Sequence, residues 1–89
     1  MLGMFEFDPD KSAANAAKHG INFIEAQALW DDERAIGFEV RRDDLTERRW
    51  LVIGRIGDNI WTAVVTYRGD TTRIISVRRA RGNEVESYG

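Results

Sequence analysis

His19 is the only histidine in this 89-residue chain, and its neighbour is Lys18. A lone imidazole cannot build a metal site, but it can move a proton near neutral pH. The sequence holds no His-Glu-x-x-His pattern, no carboxylate pair at ligand spacing and no cysteine. It therefore offers neither a metal centre nor a thiolate, and no cofactor is expected. A glycine-rich phosphate loop and a Gly-x-Ser-x-Gly elbow are also missing. What remains is chemistry that needs only acids, bases and cations. Metal-free phosphodiester cleavage is of that kind. A base takes the ribose 2′-OH proton, an acid protonates the leaving oxygen, and cations hold the charge growing on phosphate. His19, Lys18, Glu47, Tyr88 and the arginines between Arg73 and Arg81 are the groups that can supply those parts. Each has a plainer reading as well. Lys18 and His19 end a helix, where cations suit the dipole, and any single arginine can be a solvated surface charge.

The net charge of −2 argues by itself against a nucleic-acid binder, yet the charge is unevenly spread. Residues 1–33 carry two lysines and seven acids, whereas residues 68–81 carry five arginines and one acid. The basic stretch can hold an anion locally, while the acidic front is free to meet a basic partner. With 43% hydrophobic and 31% charged residues, the composition is that of one globular domain over residues 1–89. No apolar run approaches the roughly 20 residues of a membrane span, and the first residues lack the basic flank of a signal peptide. No membrane contact is expected, and the absence of cysteine fits a reducing cytoplasm.

The elements that must position these groups can be read from the pattern. Met4 to Phe7 suggests a short strand. Asp8-Pro9 then starts a helix, with Asp8 as N-cap and Gly20 as its stop. Asn22 and Glu25 have capping-box spacing for a second helix to about Trp30, burying Phe23, Ala26 and one of Leu29 and Trp30. From Ile36 the period becomes two. Ile36 to Val40, Arg48 to Gly54, Ile60 to Tyr67 and Thr72 to Arg78 read as strands, with turns at Asp43-Asp44, Gly57-Asp58-Asn59 and Arg68-Gly69-Asp70. Asn83 and Glu86 have the spacing to cap a terminal helical turn. The expected fold is α+β, an antiparallel meander with helices on one face. Strict alternation puts Arg73, Ile75, Val77 and Arg79 on one face of the last strand and Ile74, Ser76 and Arg78 on the other. At least two of the three tryptophans are expected to fill the core.

Several residues fall together into a recognisable pattern. Asp8-Pro9-x-Lys11, Asn15, Lys18-His19-Gly20-Ile21-x-Phe23 and Glu25-Ala26 come first. Asp31, Glu47-Arg48, Gly54, the run from Arg73 to Ala80, Glu84 and Tyr88 follow. Over essentially the whole chain this resembles the BrnT family of type II toxins. Phe7 stands where such sequences usually have Trp, and Val77 where Ala is usual. The resemblance implies a RelE-like fold and a ribonuclease that cleaves RNA without a metal and arrests translation. It also implies a ribbon-helix-helix antitoxin that neutralises the toxin and binds operator DNA in complex with it. Carried onto this chain, the catalytic set is His19, Glu47, Arg73 and Arg78, with Lys18, Arg48 and Arg79 on phosphate. The competing expectation is a non-catalytic module acting only through a protein partner.

Overall fold

The computed structural model describes residues 4–40 and 47–89, and the turn expected at Asp43-Asp44 lies outside them. Strand β1 (Met4–Glu6) leads into helix α1 (Pro9–His19), and a 3-10 helix follows at Glu25–Asp31. Strands β2 (Ile36–Val40), β3 (Arg49–Ile56), β4 (Asn59–Arg68) and β5 (Thr71–Arg79) come next, and helix α2 (Gly82–Tyr88) ends the chain. The five strands form one sheet in the order β1-β5-β4-β3-β2. β2 to β5 are the expected antiparallel meander, whereas β1 adds to its edge parallel to β5. The sheet is therefore mixed.

Local chemistry explains the helices. The Asp8 carboxylate accepts from the Asp10 N–H at 2.9 Å, and Gly20 stops α1 in the left-handed region at φ 79°. Asn22 and Glu25 bond reciprocally, each side chain to the other's N–H, at 2.8 and 3.0 Å. The capping box is as expected, but the segment after it is a 3-10 helix. Three residues per turn aligns Ala26 and Leu29 on one line, and both are buried with Phe23, which precedes the helix. Gly54 receives that line: a Cβ there would lie 3.0 Å from Leu29 Cδ2. At the other end, Glu84 accepts from the Arg81 N–H at 2.8 Å. That pair, rather than Asn83 and Glu86, starts α2, which is a full seven-residue helix.

Register divides the sheet into two faces. The core face carries Val52, Ala63, Val65, Ile74 and Val77, packed against Ile21, Phe23, Ala26 and Leu29. Trp30, Trp50 and Trp61 do not fill this core but sit half-buried against its margin. Their size suits a boundary that is apolar on one side only. Strict alternation fails in β5. Val64 pairs with Ser76 but Val65 pairs with Ile74, so Ile75 is an extra residue in the ladder. This bulge puts Ile74, Val77 and Arg79 on the core face and Arg73, Ser76 and Arg78 on the outer one. Helix α2 lies on the outer face, so the helices are not confined to one side.

Candidate functional site

The bulge decides which charges meet. On the outer face, register aligns Arg49, Arg68, Arg73 and Arg78, with Glu6 at the β1 edge, and Glu47, which precedes β3, reaches this face through Arg68. The ion pairs agree with that assignment. Glu6 Oε2 accepts from Arg73 Nη1 at 3.2 Å, and Glu47 Oε2 lies 3.6 Å from Arg68 Nη2. Arg48 points to the core-face side instead, where its Nε lies 3.3 Å from Glu39 Oε2. Arg79 is also on that side, with its guanidinium 5.5 Å from the Trp61 ring centroid, a cation–π contact. Lys18 and His19 lie in the last turn of α1, Lys18 exposed and His19 half-buried. Of the seven expected site residues, the outer face thus gathers Glu47, Arg73 and Arg78. It does not hold Arg48 or Arg79, and Lys18 and His19 belong to a separate element.

Arg78 is already engaged. Its Nη1 and Nη2 donate to Glu84 Oε1 and Oε2 at 2.7 and 2.8 Å, a bidentate fork. Glu84 is only 7% exposed and also accepts from Thr62 Oγ1 at 3.0 Å. The Arg78 guanidinium, more than offsetting the cost of burial, holds the Glu84 carboxyl down at about 2. The same bond raises the pKa of Arg78. This pair fastens α2 to the outer face. A second tie is the Tyr88 hydroxyl, which donates to Asp32 Oδ2 at 2.7 Å. That bond, with the Arg55 N–H donating to the same oxygen at 2.8 Å, lowers the Asp32 pKa.

Arg73 differs. Among the described residues its one polar side-chain partner is Glu6, through a single nitrogen, and both side chains are about one-third exposed. A guanidinium has five N–H donors, so most of the Arg73 fork is available to an anion. The sequence reading missed two residues of this face. In the sequence Glu6 is one of seven acids in the acidic front, and Arg49 adjoins Arg48, which the structure turns to the opposite face. The alternation of β3 is the signal that would have separated Arg49 from Arg48. A shallow cleft lined by Ala28, Asp31, Asp32, Arg55, Ile56 and Gly57 contains none of the expected site residues.

A small α+β domain with basic and acidic side chains gathered on one sheet face is the frame these residues build. The family model described as the ribonuclease toxin BrnT of type II toxin–antitoxin systems matches residues 7–84. The chain belongs to this family, which indicates a ribonuclease toxin with an RNA substrate and an antitoxin partner. No curated protein matches the chain. No helix among the described residues is long and apolar enough to cross a membrane.

Proposed function

We propose that the protein is a metal-independent endoribonuclease that arrests translation in the cytoplasm. A ribbon-helix-helix antitoxin neutralises it, and the complex binds operator DNA. Within a ribonuclease toxin family, the observation that carries this reading is the placement of Arg73 beside the Glu6 carboxylate on the outer face. Arg73 holds the phosphate, and its charge stabilises the transition state. Arg78 adds positive potential but acts mainly by fixing α2, because both of its terminal nitrogens serve Glu84. Proton transfer falls to a carboxylate of this face or to His19. RNA contact is local, since the chain as a whole carries −2.

The test combines two measurements. Purified protein is expected to cleave RNA in EDTA, and expression without the antitoxin is expected to stop growth. Cleavage that requires added Mg²⁺ would reject metal independence. Unchecked growth together with absent cleavage would favour a module that acts only through its partner.

A further inference from the structure

The row of the outer face that contains Arg73 holds more than the family pattern supplies. Register sets Glu6 opposite Arg73 and Arg73 opposite Thr66. Arg49 lies on the next strand, where Thr66 Oγ1 donates to the Arg48 carbonyl at 2.8 Å. Adjacent strands are about 4.8 Å apart, so the side chains of Arg49 and Arg73 are long enough to converge above Thr66. The Nε of Arg49 is buried and has no hydrogen-bond partner among the described residues. A buried donor without an acceptor is costly, and an oxyanion would relieve it. Glu6, by contrast, is a partly exposed carboxylate already touching Arg73.

We infer that Arg49 and Arg73 form the seat of the scissile phosphodiester, and that Glu6 is the base that takes the 2′-OH proton. This inference rests on the ribonuclease reading above. The phosphate displaces Glu6 from Arg73 and accepts from Arg49 Nε. The freed carboxylate takes the proton from O2′, which forms the new bond to phosphorus. The P–O5′ bond breaks, and the leaving O5′ takes a proton from water. The proton on Glu6 then neutralises the hydroxide left behind, which restores the base. The products are a 2′,3′-cyclic phosphate and a 5′-hydroxyl end. Glu47 is worse placed for this step, since its partner is Arg68, beyond the row.

Two probes separate binding from chemistry: a fluorescent RNA oligonucleotide and its fully 2′-O-methylated, uncleavable counterpart. Glu6→Gln is expected to bind the uncleavable RNA within twofold of the parent protein while cleavage falls by about 10²-fold or more. Arg49→Lys is expected to weaken binding of the uncleavable RNA, because the charge stays but the fork is lost. Arg49→Ala should also reduce the dependence of log affinity on log salt by about one. Circular dichroism checks folding, with Glu6→Ala and Arg49→Gln as replacements for any variant that unfolds. Parent-like cleavage by Glu6→Gln overturns the base assignment, above all if Glu47→Gln or His19→Gln abolishes it. An unchanged affinity and salt slope in Arg49→Ala overturns the phosphate seat. A parent protein that binds RNA but cuts none overturns both the proposed function and the Glu6 step, and the Arg49 arm still decides the seat.

Discussion

Arg78 and Glu84 are joined by two parallel hydrogen bonds of 2.7 and 2.8 Å, and through them the last helix is held to the sheet. An arginine that the sequence marks as catalytic thus has a structural duty. The linkage has a definite sign. The Glu84 pKa falls from an ordinary 4.5 to about 2 on folding, so its contribution is complete above pH 4.5 and is lost as pH drops towards 2. Urea midpoints measured across that range should fall with pH in the parent protein and much less in Glu84→Gln. At neutral pH the same substitution should cost about 3 kcal/mol, because it leaves the Arg78 charge poorly compensated.

Arg73 and Arg78 should separate experimentally for the same reason. Arg73→Ala is expected to lower RNA cleavage by about 10²-fold with little change in melting temperature. Arg78→Ala should lower the melting temperature by several degrees as α2 loosens. Any loss of cleavage in Arg78→Ala must therefore be measured well below its melting point. Equal melting temperatures for the two variants would contradict this division of labour.

Asn15 closes a gap in the sheet. Its side chain accepts from the Val77 N–H at 3.1 Å and donates to the Val77 carbonyl at 2.9 Å, while its second amide hydrogen meets the Ile21 carbonyl at 2.8 Å. β1 pairs with β5 only as far as Arg73, so the amide does for Val77 what a neighbouring strand would do. Asn15→Leu leaves buried backbone groups of Val77 and Ile21 without partners. A destabilisation of about 3 kcal/mol is expected in chemical denaturation.

Gly54 is required by contact rather than by backbone angle. An added methyl would lie 3.0 Å from Leu29 Cδ2 and 3.2 Å from Ala35 Cβ. Gly54→Ala should cost about 1–3 kcal/mol, and the cost should shrink in a Leu29→Ala background. Additive losses in the double mutant would show that Leu29 is not the obstacle.

Much of this fold was legible because its signals are local. Asp8-Pro9, Gly20 and the Asn22–Glu25 pair mark helix ends through short-range hydrogen bonds, and the meander shows a clear period of two. The choice between Leu29 and Trp30 stayed open in the sequence, and the 3-10 helix settles it by burying Leu29. Two features depend on partners distant in sequence. The bulge at Ile75 is set by β4 and reverses the faces of the residues beyond it, so Arg73 and Arg78 share a face that strict alternation denies them. The parallel addition of β1 brings Glu6 to Arg73, and nothing in residues 4–7 announces that partner. The candidate site was therefore legible as a set of residue types, while its grouping belongs to the assembled sheet.

The parallel edge strand also bears on when the protein becomes dangerous. Glu6 emerges early in synthesis, but its partner Arg73 is made only after the whole meander before it. A contact spanning that much chain forms late and cannot form on a truncated product. Fragments released before β5 is complete would lack the juxtaposition, and with it the proposed pairing of base and phosphate seat.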